Sequence, residues 1–470
     1  MEIKKTVFES ISTKLLADFV TPVGIYLKIR DQFSKAFLLE SSDYHGQEHS
    51  FSYLCFDPVA NISLDADGFD ISKPEFDTKM KPADRHEAMA ILKQFSESFE
   101  SNEAENKFVT NGLFGYMSYD AVQYFEDIQF DASKKANFTI PLIQYSVFRF
   151  VIAFDHFRNE VHVFQHRLSS DESPRLDEIV GLINKQNVPS FDFNVVGEES
   201  SNLNDEEHRN MIQKGIDHCH LGDVFQIVLA RQFKQSYEGD DFQVYRALRS
   251  INPSPYLFYF DYGSFKIFGS SPEAQIVIKG DEATIYPIAG TVRRTGDDQA
   301  DAQSAERLSD DPKENSEHLM LVDLARNDLS RKSDEVEVKT FKEVQYYSHV
   351  IHLVSRVTGQ LSDKSGNLDM VASTFPAGTL SGAPKHMAMQ LIDKYETVKR
   401  GYYGGAIGYM GFNGDFNHAI MIRSLLSQGN NLFYQAGGGI VAKSSLDGEV
   451  QEVYNKIGAL RSAIKFADEL

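Results

Sequence analysis

With 470 residues, 42% of them hydrophobic and 24% charged, the chain is long enough to bury a large core and too long for one minimal domain of roughly 100–150 residues. A formal charge of -21 and a pI near 5.1 argue against nucleic acid and anionic membrane as partners, so an anionic ligand has to be gripped by a local cluster of cations. Two cysteines, no apolar run near the roughly 18 residues of a bilayer span, no apolar leader and no internal repeat predict a cytoplasmic enzyme without disulfides.

In chain order, Gly24 to Ile29, Val147 to Phe154 and Val161 to Phe164 are rich in β-branched and aromatic residues. They predict strands, and with them a first region, 1–195, of sheet with a few helices. Residues 97–107 (ESFESNEAENK) and 198–207 (EESSNLNDEE) are acidic and aperiodic, which predicts an exposed loop and a linker leading into a second region, 205–470. There, helical periods at His208 to His220, Lys313 to Arg326 and Glu449 to Phe466 alternate with strand-like runs. The runs are Val224 to Gln232, Tyr256 to Tyr262, Phe265 to Gly269, Ala283 to Ile288 and Leu432 to Ala436. The mixture predicts an α+β fold with much antiparallel sheet.

Two of these helices carry a Glu-x-x-Glu pair, whose spacing puts both carboxylates on one face. Glu314 and Glu317 continue the stripe of Leu321 and Leu324; Glu449 and Glu452, with Lys456, border Val450, Val453, Ile457, Leu460 and Ile464. Four converging acids would want a cation, and an all-oxygen set suits Mg²⁺, although two solvated helix faces explain the spacing as well. The absence of Glu-x-x-His motifs argues against a di-iron bundle. Arg423, after the apolar run Ala419 to Ile422, is placed to grip a carboxylate or to form a structural ion pair. Gly437, Gly438 and Gly439 follow a strand, where their amides would approach an anion or make a bulge. His352, in VIHLV, reads equally as a core histidine or a proton carrier. His218, Cys219 and His220 diverge by about 100° each on a helix and read as structural. His45-Gly-Gln-Glu48-His49 lacks the spacing of a zinc helix.

Eight strings in collinear order resemble the chorismate-utilising enzymes, and within them the anthranilate synthase large-subunit branch. They are GDVFQIVLARQF (222–233), NPSPYLFYF (252–260), GSSPE (269–273), PIAGT (287–291), EHLMLVDLARNDL (317–329), HLVSRV (352–357), FPAGTLSGAPK (375–385) and YYGGAIGY (402–409), with LLES at 38–41 extending the match. The resemblance implies two packed antiparallel β-sheets flanked by helices, with an active site in the cleft between them. It implies Mg²⁺ on Glu317 and Glu452, with Glu314 and Glu449 ligating it or holding its waters. Arg423, the amides of Gly438 and Gly439, and Lys456 would hold the carboxylates of chorismate, while Thr291, Thr379 and Tyr403 line the pocket. Glu273 is the implied general acid, which needs a raised pKa, and His352 the implied proton carrier in aromatisation.

Two positions distinguish branches of that family. Ala289 stands where the aminodeoxychorismate synthases resembling PIKGT have a nucleophilic lysine, and Gln226 stands where water-adding members have a basic lysine. Both imply addition of ammonia at ring C2 and then pyruvate loss, in a lyase reaction of tryptophan biosynthesis; a relative that stops at the aminated intermediate stays open. Neither Cys55 nor Cys219 sits in a glycine-flanked nucleophile turn, which implies a separate glutamine amidotransferase subunit as ammonia donor. Glu40, Ser41, Pro255 and Leu257 match the family's tryptophan feedback site; ordinary strand packing also explains them. A non-catalytic Mg²⁺-dependent sensor and a metal-carboxylate oxidase are the competing classes.

Overall fold

A computed structural model describes residues 3–41, 50–74, 76–102, 107–168, 173–347, 350–361 and 366–469, apart from the side chain at 313. The motif from His45 to His49 lies outside the described residues. Two long strands, Phe51–Asp65 and Ile143–Asp155, belong to two sheets at once. They pair antiparallel from Phe51 against Asp155 to Leu64 against Ile143, with a register shift between Pro58 and Ala60. Asp57 beside it takes a φ of 62°; an irregularity of this kind bends a strand and lets its two ends join different sheets.

On one side of the bend, Tyr53–Cys55 pair with Phe37–Leu39 and Phe150–Asp155 with Glu160–Gln165. This first sheet runs on through Tyr256–Asp261, Lys266–Ser271, Ser424–Gln428, Asn431–Ile440 and Gln226–Gly239. On the other side, Ile143–Ser146 pair with Phe114–Met117 of the strand Gly112–Met117, and the second sheet continues through Ala406–Gly411, Phe416–Ile420, Ala274–Lys279, Glu282–Ile285 and Val350–Gln360. Phe37, Phe148, Phe260, Tyr262 and Ile267 of the first sheet pack on Phe114, Tyr116, Ile407 and Ala419 of the second, all buried. Helices cover the outer faces; Phe242–Ile251 and Leu446–Asp468 close one, Pro312–Ser330 the other. The expected α+β architecture of two packed, largely antiparallel sheets is therefore present.

Several local expectations are corrected. Gly24 to Ile29 lies in a helix, Pro22–Ile29, because Thr21 accepts the Gly24 N–H and Pro22 is preset for a first turn. Within the expected loop 97–107, Phe99–Ser101 pairs in parallel with Thr6–Phe8, while 103–106 lie outside the described residues. The expected linker 198–207 is structured: Phe193–Ser201 is a strand on Gln226–Gly239, and Asn204 and Glu207 form a reciprocal cap for the helix Asp205–Leu221. Acidic composition there reflects an edge strand and a helix start, not a tether. Gly437 to Gly439 do not follow a strand but lie within Asn431–Ile440, opposite Ala230, Leu229 and Val228.

The topology sets up the cleft. The chain passes from the first sheet to the second at Pro272-Glu273, between strands 266–271 and 274–279. It returns at Met421 to Arg423, between strands 416–420 and 424–428. The crossings are neighbours, since Gly269 opposes Ser424 and Ala274 opposes Ala419. An acid and a guanidinium are thus brought to the same gap between sheets.

Candidate active site

Glu273 is fixed at its crossing through its backbone: its carbonyl accepts from Ile420 N–H at 2.9 Å. Its carboxylate Oε1 accepts from the Thr379 hydroxyl at 2.9 Å. The residue is half-buried. Burial drives its pKa up to about 7, against the pull of the Thr379 hydrogen bond and of the Arg423 and Lys456 charges. At neutrality a large fraction of this carboxyl carries a proton, the state that an acid catalyst requires.

Arg423 takes a φ of 50°, a left-handed conformation that non-glycine residues adopt rarely and that concentrates at functional sites. Burial lowers its pKa, countered by Tyr403, Glu452 and Glu273; the group stays a cation. Among the described residues its guanidinium makes no hydrogen bond, so the donor fork is available to a ligand carboxylate. Tyr403, buried at 4% exposure, accepts the Gly437 N–H on its hydroxyl at 2.9 Å. Lys456 Nζ donates to Gly437 O at 2.8 Å and lies 2.6 Å from Glu452 Oε1.

The glycine run matters for its bareness. A Cβ on Gly438 would meet Glu449 Oε2 at 2.4 Å, and one on Gly439 would meet Gln226 Nε2 at 2.3 Å. Glu449 and Gln226 therefore lie directly on the strand surface, and Ser444 Oγ donates to Glu449 Oε1 at 2.7 Å.

His352 lies in the second sheet, facing Thr291 across the ladder. Its Nδ1 is 3.0 Å from Gly290 O and 3.1 Å from Thr291 Oγ1. Burial lowers its pKa, Gly290 opposing and Arg423 adding, so the ring is neutral at neutral pH. Gly290, at φ 71°, approaches Glu314, whose Oε2 is 3.1 Å from where a Cβ would stand. Sequence reasoning missed Gly290 and also the ring of Tyr347, edge-on to His352 at 5.4 Å.

Contacts and charges thus link most predicted residues: Glu314 through Gly290 to His352, His352 to Arg423, Arg423 to Glu273 and Glu452, Glu452 to Lys456. Among the described residues no three carboxylate, imidazole or thiol side chains form a ready-made metal cage; the four glutamates stand as two pairs. They ride on two helices, one over the second sheet and one over the first, with Glu314 against Gly290, Glu449 against Gly438 and Glu452 beside Lys456. The donors still fit Mg²⁺, an ion that takes oxygen ligands and is commonly held by one or two carboxylates plus substrate oxygens and waters.

Away from the cleft, Glu40 and Leu257 are cross-strand neighbours, with Ser41 directly after Glu40 and Pro255 two residues before Leu257. Glu40, 6% exposed, accepts from Tyr245 hydroxyl at 2.7 Å and Arg249 Nε at 2.9 Å. These two partners sit four apart on one helix face. His218 is structural as expected, placed between Asp223 and the Tyr395 hydroxyl at 2.6 and 2.7 Å.

The sequence matches the model of the family described as chorismate binding enzyme over residues 35–462. The chain belongs to the chorismate-binding enzymes and acts on chorismate. It is similar to anthranilate synthase component 1 of Aquifex aeolicus, 34% identical over 97% of this chain and 94% of that one, and to that of Pseudomonas putida, 32% identical over 98% and 96%. Among solved structures, anthranilate synthase component I from Streptococcus pneumoniae TIGR4 superposes with a TM-score of 0.75 at 29% identity, covering 95% of this chain and 99% of that one. The menaquinone-specific isochorismate synthase MenF of Escherichia coli, at 18% identity and a TM-score of 0.74 over 98% and 95% of the two chains, shares the fold.

Proposed function

We propose that this chain is the aminating subunit of a cytoplasmic anthranilate synthase, converting chorismate and ammonia to anthranilate and pyruvate at the entry to tryptophan biosynthesis. The observation that carries the reading is Glu273, a carboxyl held near pKa 7 beside the unbonded guanidinium of Arg423: an acid placed next to an anion grip. Arg423, the amides of Gly438 and Gly439, and Lys456 hold the two carboxylates of chorismate, and Thr291, Thr379 and Tyr403 shape the pocket. Gln226, lying on Gly439, orients ammonia; it has no basic nitrogen with which to activate water, and Ala289 cannot attack the ring.

In the first step the ammonia nitrogen bonds to ring C2, the double bonds shift, and the C4–oxygen bond breaks. Glu273 donates its proton to that oxygen, which leaves as water. In the second step the C2 proton is removed, the ether bond to the enolpyruvyl group breaks, and the enolpyruvyl carbon is protonated to give pyruvate. His352, neutral and oriented by Gly290 and Thr291, moves a proton here. Glu317 and Glu452 would hold Mg²⁺, with Glu314 and Glu449 ligating it or holding its waters, and the ion would supply stabilisation of charge at the ring carboxylate. The names of the relatives cited above support the same reading, and the designation component 1 supports a glutamine amidotransferase as second subunit. Tryptophan is proposed to bind at Glu40, Ser41, Pro255 and Leu257 and to inhibit.

The test is an anthranilate fluorescence assay on the purified chain with chorismate, Mg²⁺ and ammonium at mildly alkaline pH, with and without EDTA. Magnesium-dependent anthranilate formation is the expected result. Consumption of chorismate to isochorismate or to an aminated intermediate would sink the assignment, and a folded chain that leaves chorismate intact would favour a sensor.

A further inference from the structure

One ion pair behind the cleft has no part in the chemistry above. Arg400 is 2% and Glu396 6% exposed. Arg400 Nη2 and Nε bond Glu396 Oε1 and Oε2 at 2.6 and 3.0 Å. The remaining donors reach two other elements: Nη1 to Leu380 O at 2.6 Å, and Nη2 to Val228 O at 2.7 Å. Glu396 Oε1 also accepts from Ala230 N–H at 2.8 Å. The guanidinium carbon lies 4.6 Å from the Tyr119 ring centre and 5.9 Å from that of Tyr403. Burial opposes the charge on Arg400, but Glu396 outweighs it and holds the group above its ordinary pKa.

Each of these contacts is one step from the cleft. Leu380 follows Thr379, the donor to Glu273. Val228 and Ala230 lie on the strand that starts at Gln226 and pair with Gly439 and Gly437. Tyr403 carries the hydroxyl that takes the Gly437 N–H. As a source of stability a buried ion pair is a poor choice, since packed apolar groups of similar volume commonly do as well. What an apolar pair cannot do is donate to carbonyls of two separate elements at once, and lysine lacks the planar fork to do so.

We propose that Arg400, locked by Glu396, is a positioning residue that holds the turn Gly378–Leu380 so that the Thr379 hydroxyl meets Glu273. The inference rests on Glu273 as the acid of the proposed reaction. Arg400 does not touch the substrate and acts through Thr379.

The test is a double-mutant cycle of R400K with T379V on chorismate turnover, with saturating Mg²⁺ and ammonium, circular dichroism and thermal melting on every variant. R400K keeps the charge, so a loss reports geometry. The expected result is a kcat lower by about 10-fold or more in R400K and in T379V, KM for chorismate within about threefold of wild type, and a double variant no slower than the slower single. Additive losses, or an R400K that changes only the melting temperature, would overturn the positioning role. Should R400K fail to fold, E396Q with T379V closes the same cycle, since Glu396 sets the fork, and is read by the same criteria. A wild-type chain without turnover removes the acid assignment itself and the inference with it, an outcome distinct from additivity in an active enzyme.

Discussion

Removing the charge from Glu273 should alter stability and rate with opposite pH dependences. Its folded pKa of about 7 exceeds the ordinary 4.5, so the folded state binds the proton more tightly and stability is lost as pH rises from about 4.5 to about 7. Glu273→Gln should therefore gain stability relative to wild type between pH 4 and pH 8, by at most about 3 kcal/mol, as read by denaturant unfolding at both pH values. A difference that does not change with pH would mean the carboxyl is not shifted. The same variant should lose about 10²–10⁴ in kcat, and wild-type kcat/KM for chorismate should fall above pH 7 when free ammonia is held constant. His352 carries a separate prediction: its alanine variant should let the aminated intermediate accumulate while chorismate is still consumed, and chromatography of the products checks this. Unchanged elimination kinetics would remove the imidazole from the mechanism. Both residues were found through motif resemblance, which also implied a raised pKa for Glu273; the cause of that rise and the lowered pKa of His352 were not legible in sequence, because each depends on what distant segments bury.

At the scale of elements, helix Leu446–Asp468 brings Glu449 onto a bare glycine strand and Glu452 beside Lys456. If these carboxylates hold Mg²⁺, the ion binds the folded state alone and stabilises it by about 2.7 kcal/mol at a hundredfold excess over Kd. A rise in melting temperature with Mg²⁺, reversed by EDTA and absent in Glu449→Gln/Glu452→Gln, is the expected outcome; an equal rise in that variant would place the ion elsewhere. Helix-period stretches such as Lys313 to Arg326 and Glu449 to Phe466 were readable because one long apolar stripe identifies them. Gly24 to Ile29 misled because a run of Ile, Tyr and Leu suits strand or helix, and the Thr21-Pro22 start decides it. The stretch 198–207 misled because an edge strand and a helix cap are as polar as a tether.

Across the whole molecule, the proposed inhibitor site and the cleft are joined through the first sheet. Glu40 sits on Phe37–Glu40 and is bonded to Tyr245 and Arg249; the glycine strand lies farther along the same sheet. Tryptophan bound there would bias one sheet against the other and so the geometry of the crossings. Glu40→Gln is expected to weaken tryptophan inhibition at least fivefold in half-maximal concentration while leaving the uninhibited rate within about twofold; inhibition of unchanged strength would exclude the site. The pure chain should use ammonia but not glutamine, and glutamine-dependent turnover by the chain alone would refute a separate amidotransferase subunit.

By itself the sequence determined the class: its motifs name the chorismate-binding family, its periodicities predict α+β, and its two cysteines leave no disulfide framework to order the fold. The site needed tertiary structure. Glu273 and Arg423 are 150 positions apart in the chain, and what joins them is a pair of adjacent sheet crossings that no local pattern encodes. The raised pKa, the bare glycine surface under Glu449 and the ion pair of Arg400 with Glu396 all arise from packing between distant segments. Local propensity reports the neighbours of a residue in sequence; burial and charge in a cleft depend on its neighbours in space.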